Sequence, residues 1–166
     1  MDARQQGELA PEPNVTRVER TSDREIVVTR AFDAPARLVF EAWSKPELFT
    51  RWWVPTSMGM TLHSCEMDVR TGGTYRLGFG DGMDFFGRYL DVEPPSRIVW
   101  TNDEGGENGS VTTVTLTETD GKTLLVVSEL YPSKEALDED GGGASDAMHE
   151  TFRQLDELLV ELASKT

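Results

Sequence analysis

The sequence predicts an α+β domain in which an antiparallel sheet packs against one long C-terminal helix. Between residues 61 and 130, short runs rich in β-branched residues recur about every ten residues with short turns between them, which is typical of an antiparallel meander. Beyond them, apolar side chains recur at steps of four and three residues, as they do along one side of a helix. These side chains are Met148, Phe152, Leu155, Leu159 and Leu162.

Length and composition indicate one domain and exclude several classes of protein. The 166 residues, 37% of them hydrophobic, suffice for one core. No apolar run approaches the roughly 18 residues of a membrane helix, and residues 1–7 lack the apolar segment of a secretory signal. The net charge of −14 would repel a nucleic-acid backbone. Cys65 is the single cysteine, which excludes an internal disulfide. We therefore expect a cytoplasmic protein, monomeric or homodimeric, with neither a membrane nor a nucleic-acid partner.

The first 22 residues are polar, and ordered structure is predicted only after them. Residues 1–22 show no hydrophobic period and are predicted to form a flexible leader. The domain is then expected over residues 23–166. Its first strand is predicted at residues 24–30, a short run that contains four consecutive β-branched residues.

Two short helices are predicted directly after this strand. Asp33 can serve as the N-cap of a helix over residues 36–43, with proline near its first turn. Pro46 begins a second helix that runs to Trp53 and is ended by Pro55.

Six further strands and the long helix complete the predicted order of elements. The glycines of residues 80–82 indicate a tight hairpin between two of the strands. Ser145 can cap the final helix, predicted at residues 145–163. The predicted strands are residues 61–69, 74–79, 84–92, 97–101, 111–118 and 122–130.

Several short motifs, in this order, resemble those of a known family. They are Phe32-Asp33-Ala34-Pro35, Val39-Phe40-Glu41-Ala42-Trp43, Trp52-Trp53-Val54-Pro55, Asp68-Val69-Arg70-Thr71-Gly72-Gly73 and Gly87-Arg88-Tyr89-Leu90-Asp91-Val92-Glu93-Pro94-Pro95. Over residues 24–163 the chain resembles small bacterial members of the family named after the activator of the 90-kDa heat-shock-protein ATPase. This family lies within the START/Bet v 1-like superfamily, also called SRPBCC.

The resemblance implies a fold and a kind of function. The fold is the helix-grip, a curved seven-stranded antiparallel sheet around the long C-terminal helix. Such folds often enclose a cavity, so we expect non-catalytic binding of an apolar or aromatic small molecule between sheet and helix. Two alternatives stay open. Some superfamily relatives are cyclases, aromatases or hydrolases, and the family name suggests a chaperone-linked interaction module.

The predicted ligand-binding residues are mainly aromatic side chains near the expected cavity, together with a few polar groups. They are Phe49, Trp53, His63, Cys65, Arg76, Phe79, Phe86, Trp100, Met148 and Phe152. For the enzyme alternative, the candidates are His63, Arg76 and Glu129. No metal-binding, cofactor-binding or paired-carboxylate motif is recognisable, so no metal, cofactor or catalytic residue is predicted.

Two pairs of residues that are close in sequence leave alternatives open. One of Trp52 and Trp53 is expected to pack under the second short helix and the other at the sheet edge, although a tryptophan also suits a pocket wall. His63 and Cys65 lie two apart on a predicted strand and so share a face. Two ligands do not make a metal site, and a core histidine beside a buried thiol is the favoured interpretation.

Overall fold

An antiparallel sheet carries the fold in the computed structural model, which describes residues 15–59, 61–79, 84–103, 109–140 and 143–164. Within these ranges the sheet has eight strands, in the order β1-β2-β8-β7-β6-β5-β4-β3. The strands are β1 (Arg17–Arg20), β2 (Glu25–Phe32), β3 (Ser64–Met67), β4 (Thr74–Gly78), β5 (Asp84–Glu93), β6 (Arg97–Thr101), β7 (Val111–Thr119) and β8 (Lys122–Leu130). The predicted antiparallel meander is confirmed, and β2 joins it beside the last strand.

The long C-terminal helix packs against β2 and against the first helix. Phe32 on β2 meets Phe152 on this helix edge to face, with ring centroids 6.0 Å apart. The helices are α1 (Ala36–Ser44), α2 (Pro46–Phe49), α3 (Lys134–Asp140) and α4 (Gly143–Ser164), with a 3₁₀ turn at Thr56–Met58. The predicted α+β class, with a C-terminal helix packed on the sheet, is confirmed. No helix of the described residues is long and apolar enough to span a bilayer.

The sheet has one strand more than the seven that were expected. β1 lies inside the predicted leader and pairs with Ile26–Thr29 of β2. Its sequence does not indicate a strand, because Val18 is its one apolar residue. The strand is instead held at the sheet edge by its backbone pairing with β2. The prediction of a flexible leader is therefore wrong for residues 17–20. Residues 1–14 lie outside the described residues.

At each end of α1, a backbone group that lacks a partner within the helix is hydrogen-bonded by a side chain from elsewhere in the chain. The Ala36 N–H donates to Glu118 Oε1 at 2.8 Å, so a carboxylate at the end of β7 takes the place predicted for Asp33. At the other end, the Ala42 carbonyl would bond the N–H four residues on, but that residue is Pro46. The indole Nε1 of Trp52 donates to this carbonyl instead, at 2.9 Å.

The observed helices differ from the predicted ones in several respects. The second short helix ends at Phe49 rather than at Trp53. A further helix, α3, begins after Ser133, whose hydroxyl accepts the Ala136 N–H at 3.1 Å. α4 begins at Gly143, so Ser145 lies in its first turn rather than at its N-cap.

A bulge in β5 bends the sheet next to the cavity described below. The pairing with β6 shifts by one residue between Tyr89 and Asp91. Nearby, a Cβ on Gly87 would overlap the Thr101 carbonyl oxygen, so only glycine allows this close approach. That carbonyl also accepts the Tyr75 hydroxyl at 2.8 Å, which holds the Tyr75 ring against the sheet.

Candidate functional site

A cavity of about 610 Å³ lies between the inner face of the sheet and α4. Its walls are mostly apolar, and eight of the side chains are aromatic: Trp43, Phe49, Trp53, Tyr75, Phe79, Phe85, Tyr89 and Trp100. The other lining residues are Val54, Pro55, Met67, Leu77, Ile98, Asn102, Ser110, Thr112, Glu129, Ala147, Met148 and Thr151. Phe85 is 38% exposed and marks the rim.

Strand alternation supplies the sheet side of the cavity. Side chains two apart on a strand share a face, so Ile98 and Trp100 both reach the inner face from β6. The register continues this row across three strands, because Trp100 pairs with Thr112 and Thr112 pairs with Glu129. An aromatic ring, a hydroxyl and a carboxylate therefore lie side by side on the cavity floor.

The opposite wall is formed by residues 53–55, and α4 holds this segment in place. Gln154 Nε2 donates to the carbonyl oxygens of Trp52 and Val54, both at 3.0 Å. The Gln154 Oε1 accepts the Thr56 N–H at 2.9 Å. One amide side chain on the helix thus ties down both ends of the wall.

Glu150, one helical turn before Gln154 on α4, holds the two residues that follow this wall, Thr56 and Ser57. Its carboxylate accepts the Ser57 N–H at 2.9 Å and the Thr56 hydroxyl at 3.1 Å, and it also accepts the Ser57 hydroxyl. The hydrogen bonds from Ser57 lower the pKa of Glu150. The segment is therefore anchored to α4 by backbone as well as side-chain groups.

Trp43 lies at the centre of the aromatic wall. Its ring centroid is 5.8 Å from that of Trp53 and 5.9 Å from that of Trp100. The side chain is 2% exposed, yet its Nε1–H has no hydrogen-bond partner in the described part of the chain.

Trp52 and Trp53 have different roles: one packs in the core and the other lines the cavity. Trp52 is fully buried in the core and is fixed by its bond to Ala42. Trp53 stacks on Phe49, with ring centroids 4.7 Å apart, and both rings line the cavity. The packing interpretation therefore holds for Trp52 and the pocket-wall interpretation for Trp53.

A directed chain of hydrogen bonds forms the polar end of the cavity. Trp100 Nε1 donates to Asn102 Oδ1 at 3.3 Å. Asn102 Nδ2 donates to the hydroxyls of Ser110 and Thr112, both at 3.0 Å. The Ser110 hydroxyl then donates to Glu129 Oε2 at 2.7 Å. Because the indole can only donate, it fixes the orientation of the Asn102 amide, and the chain ends on the carboxylate.

Half of the ten predicted ligand-binding residues line the cavity: Phe49, Trp53, Phe79, Trp100 and Met148. Phe152 does not, because it is fully buried among Phe32, Trp43 and Trp52 and belongs to the core.

Arg76 and Phe86 lie on the outer face of the sheet. The Arg76 guanidinium pairs with Asp84 at 2.9 Å and covers the Phe86 ring, 4.7 Å from its centroid. Tyr75 and Leu77 occupy the inner positions of β4, so alternation turns Arg76 outward. The prediction that Arg76 and Phe86 line the cavity is wrong.

His63 and Cys65 also lie outside the cavity lining. His63 is exposed and precedes β3, so the expected core histidine is a surface one. Cys65 is half-buried, with its thiol 3.4 Å from the Met67 sulfur, and burial raises the pKa of Cys65 to about 11. The thiol thus stays protonated near neutrality and is a poor nucleophile. No group of His, Cys, Asp or Glu in the described ranges is arranged to hold a metal ion.

The sequence interpretation missed most of the polar lining. Glu129 is a candidate for the enzyme alternative but not among the predicted ligand-binding residues, although Thr123, Leu125 and Val127 set the inward phase of β8 and Glu129 continues it. Asn102 and Ser110 flank a loop at the ends of two strands, where no periodicity indicates the direction of a side chain. Their role follows only from the fold.

Comparisons with known proteins give one family-model match and several similar solved structures. A family model described as "Activator of Hsp90 ATPase homolog 1-like protein" matches residues 33–160. A solved structure from Rhodobacter sphaeroides is 25% identical, with a TM-score of 0.78, and the match covers 89% of this chain and 99% of that one. Protein Ms6760 from Mycobacterium smegmatis is 25% identical, with a TM-score of 0.72 and the same coverage. A protein from Nitrosomonas europaea, 21% identical with a TM-score of 0.75, covers 87% of this chain and 99% of its own and shows the fold alone. No curated protein sequence gives a significant match.

Proposed function

The chain belongs to the activator of Hsp90 ATPase homolog 1-like family, and from this premise we propose that it binds an apolar, aromatic small molecule between the sheet and α4 without transforming it. The observation that carries the proposal is the cavity of about 610 Å³ with eight aromatic side chains in its walls. Small-molecule sites generally measure about 300–1,000 Å³ and combine apolar walls with a few polar groups. This cavity has both properties.

The distribution of titratable groups favours binding over catalysis. Of the three candidates for acid–base chemistry, His63 and Arg76 lie away from the cavity and only Glu129 reaches it. The phenol of Tyr89 also lines the wall, but burial raises the pKa of Tyr89 and keeps its proton in place. Because one of these three candidates reaches the cavity and the other two do not, they cannot form an acid–base pair around a ligand there, which favours recognition over proton transfer.

The proposed setting is the cytoplasm, with the small molecule as the partner and the chain as a monomer or homodimer. The net charge of −14 argues against a nucleic-acid or anionic membrane surface as a second partner. Native mass spectrometry of freshly purified protein would reveal both the oligomeric state and any retained molecule as added mass.

Fluorescence gives a direct test, because three of the four tryptophans line the cavity: Trp43, Trp53 and Trp100. Titration with the neutral apolar probe N-phenyl-1-naphthylamine should quench tryptophan emission and saturate at one equivalent. Met148→Trp should fill the cavity and abolish this binding. The matched control is Val160→Trp on the same helix, at a position that is 68% exposed, and it should bind like the wild type. Equal binding by the two variants would overturn the proposal.

A further inference from the structure

One phenol hydroxyl in the cavity wall is left unused by the protein. Tyr89 lines the cavity and is 5% exposed. Its ring centroid lies 5.6 Å from that of Tyr75, whose hydroxyl donates to the Thr101 carbonyl oxygen at 2.8 Å. The Tyr89 hydroxyl, in contrast, makes no hydrogen bond within the described part of the chain. A polar group buried without a partner costs free energy, and a bound ligand with a matching atom recovers it.

The other hydrogen-bond donors of this aromatic wall are either used or enclosed. Trp100 donates its indole N–H to Asn102, and Tyr75 donates its hydroxyl to a backbone carbonyl. The Trp43 N–H has no partner in the described residues, but its nitrogen is itself buried among protein atoms. Among the described donors of this wall, Tyr89 is therefore the one that a ligand can use.

The strand register places Tyr89 beside a flat aromatic surface. Tyr89 on β5 pairs directly with Trp100 on β6, and Trp100 pairs with Thr112 on β7, so the three side chains form one row on the cavity floor. Neighbouring strands are about 4.8 Å apart, which puts Tyr89 and Thr112 about 10 Å apart across the Trp100 ring. A ligand of two fused rings that lies on Trp100 would therefore bring a substituent to the Tyr89 hydroxyl.

The surroundings of Tyr89 favour a neutral acceptor atom over an anionic one. Burial raises the pKa of Tyr89, and the charge of Asp68 adds to this rise, so the phenol keeps its proton and acts as a donor. An anionic oxygen at the same place would meet the same charge of Asp68. The described lining residues include no lysine, arginine or histidine to balance it.

We propose that the cavity selects a neutral aromatic ketone or aldehyde, whose carbonyl oxygen accepts the Tyr89 hydroxyl while its rings lie against Trp100. This inference rests on the proposed function and adds the chemical class of the ligand. A carbonyl oxygen only accepts hydrogen bonds, so it pairs with the phenol without bringing a donor of its own that would need a partner in a mostly apolar cavity.

Two probes of one shape isolate the carbonyl oxygen: 2-acetylnaphthalene and 2-isopropenylnaphthalene, in which a CH₂ group replaces that oxygen. Their affinities are measured by displacement of N-phenyl-1-naphthylamine. Because the hydrocarbon is the more hydrophobic of the two, the informative quantity is the ratio of their affinities in each variant. Tyr89→Phe should lower the ketone-to-hydrocarbon ratio about fivefold, the effect of one neutral hydrogen bond. At pH 7, 2-naphthoic acid should bind more weakly than the ketone.

Tyr131→Phe is the matched control, because Tyr131 is buried but does not belong to the described lining. It should leave the ratio at the wild-type value. A ratio that Tyr89→Phe does not change, or an acid that binds more tightly than the ketone, would overturn the inference and leave the proposed function standing. If N-phenyl-1-naphthylamine does not bind to the wild type, the proposed function itself fails.

Infrared spectroscopy tests the hydrogen bond directly and covers the case in which Tyr89→Phe does not fold. The carbonyl stretching frequency of 2-acetylnaphthalene bound to the wild type should be lower than in cyclohexane, because a hydrogen bond weakens the C=O bond. In Tyr89→Phe the frequency should return toward the cyclohexane value. A wild-type frequency equal to that in cyclohexane, or a lowered frequency that persists in Tyr89→Phe, would contradict the role of Tyr89.

Discussion

Trp43 and Trp52 meet edge to face with ring centroids 4.8 Å apart, yet only the indole N–H of Trp52 has a hydrogen-bond partner in the described part of the chain. The difference arises from Pro46, which cannot donate to the Ala42 carbonyl at the end of α1. Trp52 supplies that missing donor, whereas Trp43 turns its own N–H toward no protein acceptor. Both indole rings are buried, but the Nε1–H of Trp52 donates a hydrogen bond and that of Trp43 does not.

We therefore expect the two Trp→Phe substitutions to differ in cost. Trp52→Phe leaves the buried Ala42 carbonyl without a donor, which costs about 1–3 kcal/mol in addition to the lost packing. Trp43→Phe removes a donor that has no partner. Urea denaturation should show Trp52→Phe as the less stable variant by about 1–3 kcal/mol. Equal free energies of unfolding would show that the bond to Ala42 contributes nothing.

Phe152 is expected to behave as a core residue rather than as a ligand contact. It is fully buried among Phe32, Trp43 and Trp52, so Phe152→Ala should lower the free energy of unfolding by about 3–5 kcal/mol. Val160→Ala on the exposed side of the same helix should change it by less than about 0.5 kcal/mol. A loss of only about 1–2 kcal/mol at Phe152 would indicate that its ring borders open space.

Gln154 should affect the cavity wall without touching a ligand. Gln154→Leu removes three hydrogen bonds to residues 52, 54 and 56 and so frees the segment that carries Trp53. We expect a loss of about 1–3 kcal/mol in stability and weaker binding of N-phenyl-1-naphthylamine in the fluorescence titration. Glu157→Gln, at an exposed position of the same helix, is the control. Unchanged probe binding by Gln154→Leu would mean that the wall holds its position without these bonds.

The thiol of Cys65 should react slowly in the native protein. Burial raises the pKa of Cys65 from 9.0 to about 11, so at pH 8 the thiolate fraction is lower than that of an unfolded chain by a factor of about 100. Alkylation by iodoacetamide should be slower by a similar factor in buffer than in guanidinium chloride. Because the folded-state pKa is raised, this group's contribution to stability is complete below pH 9 and is lost as the pH rises toward 11. Similar alkylation rates in the two conditions would contradict the burial.

Much of the fold could be predicted from the sequence because its strands carry strong patterns of their own. Both β6 and β8 have the predicted bounds, since turns on either side and β-branched residues within them define their ends. β1 could not be found in this way, because four residues with Val18 as their one apolar side chain form a strand only when β2 offers its edge. α3 could not be predicted from periodicity, because its sequence is mostly acidic and has few apolar residues. The cap at Ser133 is the one local signal of its start.

The candidate site was harder to predict because it depends on strand phase. Phe85 and Phe86 are adjacent, so they point to opposite faces, and composition alone does not select the inward one. The register with β4 does, and it turns Phe85 to the cavity rim and Phe86 toward Arg76. Likewise Arg76 and Glu129 are both charges within strands, and only the inward apolar neighbours of Glu129 distinguish them.

The pairing of β2 with β8 has a consequence for the order in which the chain can fold as it is synthesised. Glu25 pairs with Leu130, so β2 leaves the ribosome on the order of a hundred residues before its partner exists. The strands from β3 to β7 pair only with neighbours in sequence and can assemble earlier. Until β8 and α4 emerge, however, β2 has β1 on one side but lacks its partner on the other, and its apolar inner face lacks the C-terminal helix that covers it. A nascent chain at this stage exposes this strand to chaperones and to aggregation alike, and the synthesis of β8 and α4 ends that exposure.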